Sequence, residues 1–410
     1  MGGPYNLEEK IKVSGSEHSL NPIDKLYHIC IGLLPFLYLF NVPGLNMSFG
    51  TILIILFTPH ALFYVYNGLK RGGRSRISAF PFLLFYTYSM FRYEGNIAGI
   101  LLCLASFINL WGISYGSIRI REIRKIIEAF ALVNLVLLVL QLLAYYSAHI
   151  RITYIPQQLL HSEFQQSSLI TQSFGLYRPS ALFLEPAHYS QYCCFAFISV
   201  LFPISEEKPN FKRAALIGIG CILTTSGMGI GLTFGILVWY IILNQTSKGT
   251  KLFSILKWIP IIAIAVIILL QIPFFQTAVQ RVMSDVDGYN AIQGRTSNWG
   301  RAIGTMTGKD LWFGYGYSAR YPWYLSGLPD TIYKYGLVAV ILEFFCFIYL
   351  MLKKTGNYVW CCCITFIALF CVAHLTSFQL QVFYFGIIIA DAVIPNGKRL
   401  IKVRFTLRRH

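Results

Sequence analysis

The chain has 410 residues, 56% of them hydrophobic and only 12% charged, with a mean hydropathy of +0.58. These values exceed what a soluble globular domain can keep hydrated and leave a polytopic membrane protein. The net charge of +17 does not indicate nucleic acid, because the basic residues are scattered among short segments between apolar runs, as orientation by cytoplasmic Lys and Arg requires.

Residues before about 25 are polar and mixed in charge (Glu8, Glu9, Lys10, Lys12, Glu17, Asp24). They lack the short apolar core and small-residue cleavage site of a signal peptide, so none is expected. Crossing ~30 Å of hydrocarbon takes about 20 apolar residues, fewer when the flanks snorkel. Ten spans are predicted, at 25–41, 48–66, 78–92, 95–113, 126–147, 186–204, 258–273, 331–352, 358–377 and 378–394. The run 214–243 is too long for one upright helix, and its centre reads TTSGMGIG (Thr224 to Gly231). Such a stretch breaks helices easily. Lys208, Lys212 and Arg213 precede the run and Lys248, Lys251 and Lys257 follow it, so like flanks predict a hairpin of two short helices.

The expected fold is an all-α polytopic membrane protein of about 12 transmembrane segments. It forms one integral membrane domain over 1–410 with both termini inside and a basic cytoplasmic tail at 395–410. That tail reads as a topology and anionic-lipid anchor. The ten cysteines lie in apolar segments and none forms a CxxC pair on a loop, which predicts packing residues and neither disulfides nor a zinc site.

Two predicted outward loops are long, 148–185 and 274–330, and loops beyond ~15 residues in a compact protein are usually functional. On this topology nine of the 34 Lys and Arg face outward, and seven of the nine are arginine: Arg92, Arg151, Arg178, Arg281, Arg295, Arg301 and Arg320. Arginine is the planar, bidentate donor suited to phosphate oxygens. The alternative is contact with lipid headgroups or with Asp285, Asp287 and Asp310. The second loop also carries GRTSNWGRA at 294–302 and WFGYGYSARYPWYLSG at 312–327. Its Tyr315, Tyr317 and Trp323 offer aromatic faces for sugar C–H surfaces or a headgroup boundary.

The densest stretch is RPSALFLEPAH, Arg178 to His188, where a polar loop enters an apolar helix. Glu185 precedes Pro186, a natural first helical residue, and His188 follows at i+3 on the same face. Glu185 can therefore act as a base oriented by His188, or simply cap the helix. His149 and His161 lie in the same loop without a motif. His60 and His374 lie in spans, where a structural hydrogen bond is expected. Asp330 is expected to cap the helix after the second loop, with Lys334 snorkelling outward. Glu343, deep in that span, has no evident partner, and an intramembrane carboxylate is costly.

RPSALFLEPAHYSQY, followed by a span, the Ser/Thr/Gly-centred double span, and then GRTSNWGRA and FGYGYSARY before a Tyr335-Gly336-led helix, resembles the Wzy-type repeat-unit polymerases of bacterial O-antigen and capsule synthesis. The likeness extends to the O-antigen ligases and covers most of 126–394 by organisation. None of the loop arginines has a glycine eleven positions on, a spacing found in some O-antigen polymerases. The resemblance implies a GT-C-like glycosyltransferase of the bacterial cytoplasmic (inner) membrane that uses no nucleotide-sugar, metal or other cofactor. It would move a glycan from undecaprenyl pyrophosphate onto the terminal sugar of another lipid-linked repeat unit. The implied partners are the lipid-linked donor and acceptor, membrane lipids, a chain-length regulator and a flippase.

Glycan transfer requires a base for the attacking hydroxyl and a stabiliser for the departing pyrophosphate. Glu185, His188 and Arg178 are the expected catalytic residues. Arg151, Arg295, Arg301 and Arg320, with Tyr315, Tyr317 and Trp323, are the expected pyrophosphate and substrate contacts. The alternatives are an O-antigen ligase delivering glycan to lipid A core, or a lipid-linked oligosaccharide flippase or other transporter. The ligases carry a histidine in their large outward loop and 274–330 contains none. A transporter should show repeat symmetry and short outward loops.

Overall fold

The computed structural model describes residues 20–45, 47–72, 77–93, 96–156, 159, 172–173, 176–203, 208–247, 291–319, 321–322, 325, 327–352 and 377–392, with isolated positions between 260 and 276. The predicted spans 258–273 and 358–377 fall almost wholly outside the described residues.

The predicted first span is two pieces. Helix α1 (Pro22–Gly32) is capped by Asn21, whose Oδ1 accepts from the Asp24 amide at 2.7 Å, and α2 (Leu34–Leu37) is a single turn. The chain then turns back through a bridge between Asn41 and Ser48. Ser48 caps α3 (Phe49–Lys70), and α4 (Phe80–Phe91) follows with Pro81 in its first turn. Asn96 caps α5 (Ile97–Ser114). These side-chain oxygens take up amide protons that a helix start leaves unpaired.

Helix α6 (Ile120–Ala148) buries Ile120, Ile123, Arg124, Ile127, Ala131, Asn134, Leu138 and Gln141, steps of three and four that trace one stripe. Its opposite face exposes Val133, Val136, Leu140 and Leu143, the surface a bilayer would cover. Helix α7 (Pro186–Leu201) is the reverse case: all its residues but Ala187 are buried, whichever face they occupy. A helix enclosed on every side is the centre of the bundle.

The 214–243 run is a hairpin, as predicted, but of unequal arms: α8 (Phe211–Leu223) and α9 (Gly227–Ser247). Phe211 and Tyr240 rings lie 5.7 Å apart at its open end. A Cβ placed on Gly218 would sit 3.3 Å from Thr233, further along the same antiparallel pair. Thr224, Thr225 and Ser226 form a buried apex, with Thr225 at φ 53. Ser190 Oγ meets Thr224 Oγ1 at 3.1 Å, and a Cβ on Gly229 would lie 2.2 Å from that same Oγ. A small residue there lets the apex press directly onto the second turn of α7.

The second long loop itself carries α10 (Ala291–Gly304) and α11 (Lys309–Phe313), and α12 (Leu328–Leu352) and α13 (Phe378–Ala392) follow. Helix α13 packs on α7 through Tyr192, Phe195 and Phe383, and on α4 through Phe82 and Phe385. A two-residue antiparallel pair, β1 (Gln172–Ser173) and β2 (Leu176–Tyr177), lies in the first long loop. Four helices are long and apolar enough to cross a membrane among the described residues: α3, α5, α6 and α12. The chain is a polytopic, mainly helical membrane protein.

Candidate functional site

The Arg178–His188 stretch does not rest on top of the bundle; it descends into it. Gln141 Oε1 accepts from the Ala181 amide at 2.8 Å, and Asn134 Oδ1 accepts from the Leu182 amide at 3.2 Å. Asn134 is 14 residues short of the end of α6, ~20 Å below it at 1.5 Å per residue. Phe183 is buried against Phe36, Phe130, Tyr189 and Tyr192. The other end of the same loop descends alongside, with Gln141 Nε2 donating to Ile152 O at 3.0 Å and Tyr154 Oη to Leu137 O at 2.9 Å. Tyr145 and Tyr177 stack at 4.3 Å and 15° above this clamp. Burial pushes the Tyr177 phenol up, with Tyr154 adding to the rise and the nearby Arg151 guanidinium opposing it.

Non-helical backbone at membrane depth persists only where protein encloses it or water reaches it. Here its amides and carbonyls are taken by side chains of α6, and Ala181 is held at φ 52, a left-handed conformation that costs an alanine ~1 kcal/mol or more. The end product of this re-entry is Glu185, which stands at the N-cap position of α7 with extended dihedrals. Its side chain makes no capping hydrogen bond. The capping role expected beside the catalytic one is therefore not taken up, and the carboxylate is half-buried at the positive end of the α7 dipole. His188 is buried one turn further in, with Glu185 as its charged neighbour. Arg178 is half-buried at the entrance of the descent, and Arg151 is exposed.

A second seat forms around FGYGY. Gly314 and Gly336 cross with their backbones in contact: a Cβ on Gly314 would lie 2.4 Å from Lys334 O, and one on Gly336 2.2 Å from Trp312 O. Gly336, at φ 77 and ψ 177, breaks α12. The carbonyls so released accept the Tyr315 amide (Tyr333 O, 2.9 Å), the Gly316 amide (Lys334 O, 2.9 Å) and the Tyr88 hydroxyl (Tyr335 O, 2.6 Å). Arg92 donates to Gly314 O at 2.8 Å, so this arginine, expected to face outward, is a brace of the loop. Tyr317 stacks on Tyr93 at 4.3 Å, and Tyr315 packs against Tyr333 at 4.9 Å; both remain more than a third exposed. Arg301 is exposed on α10, and the Tyr315 hydroxyl donates at 3.5 Å to Thr305 O, one residue past that helix. Arg295 lies on the same helix with its side chain outside the described residues, as are Arg320 and Trp323 entirely. Asp330 is a first-turn residue of α12 and not its cap, and it pairs with Lys334 at 3.2 Å.

Thus Glu185 and His188 are neighbours at the start of α7 and Arg151 lies near Tyr177, the residue before Arg178, while Tyr315 and Tyr317 lie between α11 and α12 and Arg301 lies on α10. Helix α13 packs between α7 and α4. The residues that position the segment leading into α7, Asn134 and Gln141, escaped the sequence reading. Their signal was two amides seven apart on one face of an otherwise apolar span. His60 meets its structural expectation, facing Asp24 Oδ1 at 3.1 Å, where the Tyr64 hydroxyl also donates at 2.9 Å. Among the described residues no three His, Cys, Asp or Glu side chains gather as metal ligands. Comparison with protein-family models, curated proteins and solved structures finds no match to this chain.

Proposed function

We propose that this chain polymerises undecaprenyl-pyrophosphate-linked oligosaccharide repeat units into O-antigen or capsular polysaccharide at the outer face of the bacterial cytoplasmic membrane. The reading is carried by one observation: a carboxylate, Glu185, ends a re-entrant loop below the end of α6 and is left uncapped at the start of the most enclosed helix. In this scheme Glu185 takes the proton of the acceptor sugar's hydroxyl while His188 orients it. The hydroxyl oxygen bonds to the anomeric carbon of the donor glycan, the bond from that carbon to the pyrophosphate oxygen breaks, and undecaprenyl pyrophosphate leaves. Arg178 and Arg151, joined by the arginines of the second seat, neutralise the departing charge. Each well-placed donor of this kind is worth about 3 kcal/mol of barrier. The aromatic faces of Tyr315 and Tyr317 suit the glycan itself.

Complementation of a polymerase-deficient strain tests the reading. Arg178→Ala, Glu185→Ala and Arg295→Ala should each abolish long chains and leave single-repeat material on lipid A core. Normal chain ladders from all three variants at wild-type protein levels would overturn the assignment. Accumulation of lipid-linked polymer with none on the core would instead mark a ligase. Retention of lipid-linked repeats on the inner leaflet would mark a flippase.

A further inference from the structure

Helices α6 and α8 lie side by side and run in the same direction. Glu128 of α6 faces Arg213 of α8 at 3.7 Å, and seven residues further along both helices a Cβ on Gly220 would lie 3.1 Å from Leu135. These two pairs fix the line along which the helices touch. At 3.6 residues per turn, Lys125, Leu132 and Val136 fall to one side of that line on α6, and Lys212, Leu216 and Ile219 fall to one side of it on α8. All are exposed except Leu132, which is half-buried. Because the helices are parallel, the two stripes lie on the same side of the seam and wall one groove. Helix α7 closes the opposite side, where the buried Arg124 donates to Ser199 O and a Cβ on Gly218 would lie 3.3 Å from Phe197.

The groove is cationic at its mouth and apolar along its length. Segments 119–128 and 206–213 hold seven Lys or Arg against four Glu. Glu128, the carboxylate on the contact line, is shared: its Oε1 accepts the Ser199 hydroxyl at 2.8 Å and faces Arg124 at 3.8 Å, while its Oε2 faces Arg213 at 3.7 Å. One negative charge thus stands between two guanidinium groups, with neither at hydrogen-bonding distance from it. The Arg213 side chain is 58% exposed, Lys212 is exposed beside it, and Lys125 is held only by a surface pair with Glu122 at 3.0 Å, which exchanges readily. Beyond these cations the walls are Leu132, Val136, Leu216 and Ile219. Helix α6 is long and apolar enough to cross a membrane, and Lys125 stands where its apolar run begins, so the mouth lies at headgroup level and the walls at the level of the acyl chains.

We propose that the α6–α8 groove binds an anionic phospholipid, its phosphate held by Arg213, Lys212 and Lys125 and an acyl chain lying along Leu132, Val136, Leu216 and Ile219. A basic pocket between helices at the membrane edge is suited to an anionic headgroup, and a guanidinium grips phosphate oxygens through two parallel hydrogen bonds. An acidic peptide or a nucleic acid would match the charges but leave the apolar walls unused. The bound phosphate supplies the negative charge that Glu128 alone does not provide for Arg124 and Arg213, and so fastens α8 to α6. The groove lies at the end of α7 away from Glu185 and does not depend on the polymerase reading.

Native mass spectrometry of the full chain, released from micelles holding equal amounts of dioleoyl phosphatidylglycerol and dioleoyl phosphatidylcholine, tests this. The wild type should retain the anionic lipid roughly tenfold more often than the zwitterionic one. Lys212→Gln with Arg213→Gln should bring that ratio close to one. Lys70→Gln with Arg71→Gln, which removes the same charge from α3 at the same end of the bundle, should leave it unchanged. Ile219→Trp fills the groove without altering charge and should lower the ratio as well. Lys212→Gln alone changes one exposed side chain and should lower it about threefold, so the test stands even if the double variant misfolds. Excess glycerol 3-phosphate should not displace the lipid. The proposal fails if the wild type retains both lipids equally, if either Lys212 variant keeps the full ratio, or if the Lys70 and Arg71 changes lower it as much. It fails equally if Ile219→Trp has no effect or if glycerol 3-phosphate competes, since a headgroup site alone has no use for the groove.

Discussion

Around residues 180–186 the side-chain amides of α6 hold a strained backbone in place, whereas around 312–336 two backbones cross with no side chain between them. Both seats hold irregular chain against the helices of the bundle, and both satisfy polar groups that irregularity exposes. They fail differently. The amide clamp depends on what Asn134 and Gln141 carry and tolerates a small change in the loop. The glycine crossing depends on what Gly314 and Gly336 lack and tolerates no added atom.

The largest effect separating them is expected from Gly336→Ala. A Cβ 2.2 Å from Trp312 O, at dihedrals that only glycine adopts readily, should destabilise the protein by more than about 3 kcal/mol. Denaturant titration in detergent micelles reads this directly; a loss within experimental error of zero would mean that the two backbones separate freely. Gln141→Leu should cost less, about 1–3 kcal/mol, because it strands the buried Ala181 amide and Ile152 carbonyl. Its signature is local: cysteine reporters at 181–184 should become more reactive while reporters near 315 do not change. Equal labelling at both places would show that the seats are one unit. The smallest effect has the opposite sign. Ala181→Gly relieves the φ 52 conformation and should change stability by only ~0.5–1 kcal/mol, in the stabilising direction wherever strain outweighs the added freedom of the unfolded chain. A clear loss would place the methyl group in a packing role.

Apolar runs and basic flanks were enough to place α3 to α9 and to foresee the break at Thr224, because hydrocarbon thickness and charge asymmetry act on short stretches of chain. The Arg178–His188 cluster was legible for the same reason: its members are neighbours in sequence. What could not be read was anything requiring a distant partner. Asp24 sits among polar residues in sequence, yet it is buried by His60 and Tyr64 from a helix some 40 positions on. The Tyr335-Gly336 pair marked a helix, but only Trp312 and Gly314 pressing on it explain why that helix is broken. The depth of the Glu185 loop was equally hidden, since it is set by two amides that hydropathy counts as small interruptions of an apolar span.

One helix fixes both ends of α7. At the end away from Glu185, Arg124 donates to Ser199 O, and Ser199 Oγ donates to Glu128 at 2.8 Å, with Arg213 of α8 joining at 3.7 Å. Toward the other end, Asn134 and Gln141 hold the segment leading into α7. All four anchoring side chains project from α6, so the height of the carboxylate is measured against the rise of a single rod. Lipid thickness then becomes a weak variable for this protein. A thicker or thinner bilayer tilts the outer helices, but the distance between the two anchored ends of α7 remains a property of the chain.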